Sequence, residues 1–227
     1  MSVKVLYHGH SNIEIYSGPH HIQIDPMYTG NPAADMPADK ANPTHILITH
    51  AHGDHVGDAV AIAKRTKAPV ICCYEMANYL EKKGAPQTIG MNHGGGLDLP
   101  FGRVTMTVAF HTSSFDDGTY GGQPAGFIVE TGGKTIYHAG DTALFGDMRL
   151  LGELYNIDLA CLPIGDNFTM GPVHAVKAAQ FLRAKKVLPI HYNTWPVIAQ
   201  DGSKFAAHLR AEGIEGFALK AGESLDL

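Results

Sequence analysis

Thr49-His50-Ala51-His52-Gly53-Asp54-His55 decides how this chain is read, because it sets three histidines and a carboxylate within six positions directly after the apolar run His45-Ile46-Leu47-Ile48. Such a run reads as a buried strand. After the cluster, Val56 to Lys67 has helical spacing, with Val56, Val60, Ala63 and Lys67 on one face and Pro69 closing the segment. The cluster therefore falls on a strand-to-helix turn, where no ladder fixes side-chain directions and they can converge. His50 and His52 are two apart, so on extended backbone they point to one side and can share a cation. Asp54 and His55 lie where the chain enters the helix and can aim at a point a few ångströms away. Mixed imidazole and carboxylate ligands suit zinc, manganese, iron or nickel, whereas calcium wants oxygens only. Two such ions about 3.5–4 Å apart would clamp a bridging water and bring its pKa close to neutral. The competing reading, a solvent-exposed histidine-rich loop, leaves the order of ligand types unexplained.

Working outward, the 227 residues are 44% hydrophobic and 17% charged, which suits one α/β domain over residues 1–227 with a well-buried core. A net charge of −5 argues against a nucleic-acid groove. Met1 leads into the strand-like Val3-Lys4-Val5-Leu6, with no signal-peptide pattern, and no apolar run approaches the roughly 20 residues that span a bilayer. Cys72, Cys73 and Cys161 are odd in number and lie in apolar runs, so they read as strand packing in a reducing cytoplasm.

Strand patterns open the chain at Val3–Tyr7, Asn12–Ser17 and His21–Asp25, and Asn12-Ile13-Glu14-Ile15-Tyr16 alternates as a strand with one solvated face. Met27 to Pro43 is a loop. A strand at Val70–Cys73, a short helix at Glu75–Lys83 and irregular Gly94-Gly95-Gly96 follow. The second half repeats the plan. A strand at Val104–His111 precedes a hairpin of Gly126–Thr131 and Lys134–His138 around Gly132-Gly133. Helices at Phe145–Tyr155, Val173–Ala184 and Ser203–Glu212 alternate with strands at Leu159–Ile164, Val187–His191 and Gly216–Leu219, the last of the chain. This order fits a two-sheet sandwich with helices outside, although periodicity alone does not choose it over a doubly wound sheet.

His50-x-His52-x-Asp54-His55 after a hydrophobic strand resembles the signature of the metallo-β-lactamase superfamily. The likeness continues through Tyr7-His8-Gly9-His10-Ser11, Tyr137-His138-Ala139-Gly140-Asp141-Thr142, Pro163-Ile164-Gly165-Asp166-Asn167-Phe168-Thr169-Met170-Gly171-Pro172 and His191-Tyr192-Asn193. Together these resemble a prokaryotic family of metal-dependent hydrolases within that superfamily, over essentially the whole chain. The resemblance implies a four-layer αββα sandwich with the site along the edge where the sheets meet. It implies His50, His52 and His111 on one metal, Asp54, His55 and His191 on the other, and Asp141 bridging them. Asp54 and Asp141 are then the catalytic carboxylates. Relatives that run oxygen or nitric oxide chemistry at di-iron carry Glu where this chain has His52, so the histidine points to hydrolysis.

Around this set, His10 is expected to point into the pocket, His138 to support Asp141, and Asp25 to orient a ligand histidine through its free ring nitrogen. His8 shares the strand end with His10. Asn167 offers a donor and an acceptor for a substrate oxygen, with a simple turn as the alternative. Phe115 to Gln123 predicts a mobile rim, with Tyr192 and Trp195 as the facing wall. His20, His21, His45, His93, His174 and His208 read as surface or structural residues.

The expected function is metal-dependent hydrolysis with two divalent ions, zinc first and manganese, nickel or iron as alternatives. A small-molecule phosphodiester leads as substrate over a lactone, ester or amide; a metal-binding protein without turnover is the non-enzymatic alternative. No Gly-x-Ser-x-Gly motif supports a covalent route. The chain also lacks the insertion that nucleic-acid-cleaving relatives place over the site. No stripe in the sequence decides for or against a homo-oligomer.

Overall fold

Each half of the chain lays down antiparallel strands and then parallel ones. The structure, a computed structural model, describes residues 2–227. The first half forms β1 (Val3–Gly9), β2 (Asn12–Ser17), β3 (His20–Ile24), β4 (His45–Leu47), α1 (Gly53–Val56), α2 (Ala59–Thr66), β5 (Val70–Cys73), α3 (Tyr74–Lys82) and β6 (Thr88–Met91). The second forms β7 (Gly96–Leu99), β8 (Gly102–Val108), β9 (Ala125–Thr131), β10 (Lys134–His138), α4 (Met148–Leu154), β11 (Leu159–Pro163), α5 (Pro172–Leu182), β12 (Lys186–Ile190), α6 (Gly202–Ala211), β13 (Glu215–Gly216) and β14 (Ser224–Asp226).

Two seven-stranded mixed sheets result, in the orders β14-β1-β2-β3-β4-β5-β6 and β13-β12-β11-β10-β9-β8-β7. In the first, β3 through β6 are parallel; in the second, β10 through β13 are. Helices flank both sheets, giving the expected αββα sandwich. The strand β11 explains itself. Its Leu159 and Cys161 point between the sheets, while Ala160 and Leu162 point outward into a second core with Val176 and Leu182 of α5 and Phe205 and Leu209 of α6. A strand covered on both faces needs a continuous apolar run, not an alternating one.

The same double coverage corrects the reading of β2. Its alternation marks no solvated face, because Asn12 and Glu14 are buried. These polar side chains are satisfied internally instead. Gln23 donates to Asn12 Oδ1 at 3.0 Å, and Glu14 accepts from Tyr16 Oη at 2.6 Å and faces His8 Nε2 at 3.4 Å. His8 Nδ1 reaches Asp35 at 2.8 Å, which ties the long loop after β3 to the first strand.

The helix expected over Val56–Lys67 is two helices. Gly57 breaks it with φ +43°, and a Cβ there would sit 2.6 Å from the Pro26 carbonyl oxygen, so the chain needs glycine at this close approach. The buried face of α2 is Ala59, Ile62 and Ala63 instead of the anticipated row, and Lys67 is its left-handed cap. Strands β6, β7 and β14 carry too little pattern to announce themselves. Strand β13 has only two residues, and the last strand is β14, which returns to pair with β1. The hairpin turn at Gly132-Gly133 has positive φ at both glycines, as a primed turn requires.

Burial alone would lower the His8 pKa, but its bonds to Glu14 and Asp35 raise it above 6.5. Burial would likewise raise Glu14, yet His8 and Tyr16 hold it below 4.5. The His8 contribution is complete below pH 6.5 and fades as pH climbs through its raised value. The Glu14 contribution is complete above pH 4.5 and fades as pH falls through its lowered value. His8→Gln should therefore destabilise most between those limits, by about 2 kcal/mol, and less at pH 9. Melting curves of both proteins across that range test this; a difference independent of pH would refute the charged assignment.

Candidate metal centre

The site is built at the carboxyl ends of strands from both sheets, where side chains are released from the ladder. From the first sheet, His10 follows β1, Asp25 follows β3, and Thr49 and His50 follow β4. From the second, His111 lies beyond β8, Asp141 beyond β10 and His191 directly after β12. His52 stands at the N-cap position of the one-turn helix α1, which carries Asp54 and His55. Asp141 is preceded by Gly140 at φ +60°, where a Cβ would meet the Ala125 carbonyl oxygen at 2.5 Å.

Asp25 fixes two of the histidines. Its Oδ1 accepts from the Thr49 amide at 2.8 Å; its Oδ2 accepts from Thr49 Oγ1 and from His55 Nδ1, both at 2.7 Å. The Thr49 hydroxyl proton is thereby used, so at 3.0 Å its oxygen accepts from His50 Nδ1–H. Both rings carry a proton on Nδ1, and both turn Nε2 into the site. This is the outer support that metal-binding histidines require.

Three sets of donor atoms come together, each within 4.8 Å: His50, His52 and His111; His50, His55 and Asp141; and His10, Asp54, His55 and His191. Asp141 Oδ2 is the shared point, 3.0 Å from His191 Nε2, 3.4 Å from His55 Nε2 and 3.6 Å from His111 Nε2. Asp54 Oδ2 lies 3.6 Å from His191 Nε2 and 3.7 Å from His55 Nε2. His50 Nε2 and His52 Nδ1 face each other at 3.0 Å. Among the described residues, His55 Nε2 and Asp141 Oδ1 are buried without a hydrogen-bond partner. Converging ring nitrogens, an orphaned carboxylate oxygen and a nitrogen-rich donor set fit divalent transition metals, and Asp141 Oδ2, facing His111 of one cluster and His55 and His191 of another, fits a dinuclear arrangement.

The electrostatics point the same way. Burial lowers the pKa of His50, His52 and His111, which keeps them neutral and able to donate lone pairs. Burial works against charge on Asp54 and Asp141 too, but the surrounding histidines overcome it and hold both far below the ordinary carboxylate range. In return, although burial opposes it, Asp141 draws positive charge onto His55, well above 6.5, and onto His191, up to about 9. A buried and a partly buried carboxylate thus call for cations in this pocket.

His10 is fully enclosed, and burial pushes its pKa down to about 4. As a neutral ring it accepts from Thr194 Oγ1 at 2.7 Å on Nδ1 and donates from Nε2 to Asp54 Oδ2 at 3.1 Å. In this tautomer it orients Asp54. His138 hydrogen-bonds to none of these side chains; it accepts from the Gly140 amide at 3.2 Å and donates to the Ser11 carbonyl at 3.0 Å, so its bonds reach Asp141 only through the backbone.

The cavity over the donors, about 270 Å³, is lined by His52, Asp54, His111, Thr112, Asp141, Phe168, His191 and Trp195. Trp195 stands where expected. Asn167 does not line it; it is exposed in a turn, and its neighbour Phe168 takes the place. Tyr192 also lies elsewhere, on a separate cavity of about 830 Å³ beside Tyr7 and Gly202, so the larger cavity is not the one where donors converge. The anticipated rim is anchored: Phe115 is buried against Tyr79, ring centroids 3.6 Å apart, and the Gly121 carbonyl accepts from Cys73 Sγ at 3.0 Å. Thr49 and Thr194 escaped the sequence reading because a threonine beside a histidine carries no signal until the fold shows its partner. All three cysteines are free and buried.

Removing the outer support should be felt at the metals. Asp25→Ala and Thr49→Val are each expected to weaken metal binding by about 10–100-fold, measured by competition with a chromogenic chelator. Wild-type affinity in both variants would contradict the tautomer assignment.

Residues 20–192 match the family model described as the beta-lactamase superfamily domain. A metal-dependent hydrolase of the UPF0173 family from Thermus thermophilus is 54% identical over 225 residues, which is 99% of each chain. One from Exiguobacterium sp. is 50% identical over 215 residues, 93% of this chain and 96% of the relative. Among solved structures, Igni18, a metallo hydrolase from Ignicoccus hospitalis, is 37% identical and superposes with a TM-score of 0.92 over 100% of this chain and 99% of its own. With the fold, the donor clusters and these relatives in agreement, this chain belongs to the metallo-β-lactamase superfamily and, within it, to the UPF0173 family of metal-dependent hydrolases.

Proposed function

We propose that this chain is a cytoplasmic hydrolase of small molecules that works with two divalent ions, zinc first. His50, His52 and His111 would hold one ion, Asp54, His55 and His191 the other, and Asp141 both. The observation that carries this reading is the position of Asp141 Oδ2, within 3.0–3.6 Å of three imidazole nitrogens that converge from distant segments of the chain. Bound ions would acidify a water and polarise the oxygen of the scissile group. The chain's own residues do the rest. Asp54, fixed by His10, orients the attacking water; Asp25 and Thr49 keep His50 and His55 in the donor tautomer; Trp195 and Phe168 narrow the approach of bulk solvent.

A phosphodiester leads as substrate, since two ions can stabilise both the attacking and the leaving oxygen of an in-line displacement. One observation favours a neutral lactone, ester or amide as the second reading: among the described residues, no lysine or arginine lines the cavity. The same lack of cationic groups supports a small molecule over nucleic acid, whose binding draws on many phosphate contacts. No helix among the described residues is long and apolar enough to cross a membrane, and three buried free thiols support a reducing compartment.

Elemental analysis of metal-supplemented protein should give about two ions per chain. Asp141→Ala should lose at least one of them and lower kcat/KM on a chromogenic phosphodiester by about a thousandfold, while unfolding stays cooperative. Full activity in that variant would remove Asp141 from the centre. Turnover of a lactone panel without phosphodiester cleavage would select the second substrate reading.

A further inference from the structure

The donors lie at the bottom of a cavity whose mouth is aromatic. Phe168 is 57% exposed and Trp195 36% exposed, and both line the cavity beside the candidate ligands. Large apolar side chains exposed at a site whose other walls are His, Asp and Thr call for an explanation in terms of a ligand.

Phe168 is held there against backbone preference. The two residues before it, Asp166 and Asn167, are both left-handed, with φ +60° and +41°. For L-residues this conformation costs on the order of 1–2 kcal/mol each, somewhat less for Asp and Asn. The turn is closed by Asp166 N–H donating to the Met170 carbonyl at 3.0 Å and Thr169 N–H donating to the Asp166 carbonyl at 2.9 Å. Met170 N–H donates to the Thr142 carbonyl at 3.0 Å, which joins this turn to the residue after Asp141. On the facing side, Trp195 sets its ring edge-on to His10, centroids 5.1 Å apart, and follows Thr194, which bonds that same ring. Both aromatics are thus fastened to segments that position the donors, and neither belongs to a free loop.

We infer that Phe168 and Trp195 determine specificity, selecting substrates whose hydrolysable group carries an adjoining aryl or comparably bulky apolar substituent. The scissile group sits over His52, Asp54, His111, Asp141 and His191; the substituent lies between the two rings at the mouth. A ring seated there gains burial and edge or face contacts with both aromatics, while a methyl group in its place reaches neither. The absence of lysine and arginine from the described lining agrees, because a second anionic group on the substrate would have no counter-charge at this end. This inference rests on the proposed hydrolase reading for the chemistry after binding, but not for binding itself.

The test uses the metal-loaded full chain and the pair phenylphosphonate and methylphosphonate, which occupy the metals alike and differ only in the substituent. Trp195 is the single tryptophan of the chain, so its emission reports occupancy at the mouth directly; calorimetry gives the affinities where Trp195 is replaced. The phenyl ligand should bind at least about tenfold tighter and alter Trp195 emission. Phe168→Ala and Trp195→Ala should each bring the ratio below about threefold, and Phe168→Leu should retain part of it. Equal affinities in the wild type, a ratio unchanged in both alanine variants, or failure of both ligands to bind would overturn the inference. Turnover of phenyl and methyl p-nitrophenyl phosphate, which share a leaving group, separates the two claims. Phenyl preference in binding, without turnover of either ester or of the lactone panel, leaves the inference standing and the hydrolase reading refuted; turnover of both esters at equal kcat/KM does the reverse.

Discussion

Two buried carboxylates and a third that is partly buried set the terms of this structure. Asp25, Asp54 and Asp141 lie within or against one histidine cluster at the joined edge of two sheets, and an ionised carboxylate in such surroundings is costly unless every oxygen finds a donor or a cation. Asp25 meets that demand within the protein, through the Thr49 amide, the Thr49 hydroxyl and His55 Nδ1. Asp54 meets part of it through His10. Asp141 does not: one oxygen is buried and unpartnered, and the other faces three imidazole nitrogens at once. The division of labour follows from this difference. The satisfied carboxylate holds Thr49 and His55 in place, and the unsatisfied one is left open to a cation.

That division also explains how far the sequence could be read. Contiguous signals came through well. His50 to His55 named the candidate centre because its donors are neighbours in the chain, the apolar runs before His50 and His191 read as buried strands, and the strand before Asp141 read as one arm of a hairpin. Signals that exist only between distant segments did not come through. Thr49 sits beside His50 in sequence, yet its role depends on Asp25, 24 residues away; Thr194 acts on His10, 184 residues away. The alternation of β2 misled for the same reason. Asn12 and Glu14 look solvated until Gln23, His8 and Tyr16 supply their partners inside the fold. Asn167 looked chemically apt by residue type, but the left-handed turn it helps to form turns Phe168, not Asn167, to the cavity.

Backbone strain follows a similar map. His10, Asp25 and His191 each end a strand in the left-handed region, with φ between +51° and +56°. One left-handed residue at a strand end swings its side chain out of the ladder's alternation, which is how three strands from two sheets can aim at one volume. The cost is borne by neighbours that fix each bend. His191 N–H donates to the His10 carbonyl at 2.9 Å, so the bends after β1 and β12 hold each other across the two sheets, and Asp25 N–H donates to the Leu47 carbonyl at 3.0 Å. Sequence alone has no access to this, because histidine and aspartate at a strand end do not declare their φ.

The coupling between those bends bears on how the centre and its mouth work together. The residue that bonds His191, His10, also accepts from Thr194 and packs against Trp195. The segment that presents Phe168 is bonded to Thr142, next to Asp141. The aromatic side chains at the mouth and the candidate metal donors are therefore only a few bonded groups apart on either side of the cavity. Rigid elements of this kind keep donors within the small positional error that metal chemistry tolerates, and they make the shape of the mouth a property of the same network. Changes at Thr194 or Thr142 should thus register in both metal binding and substrate preference.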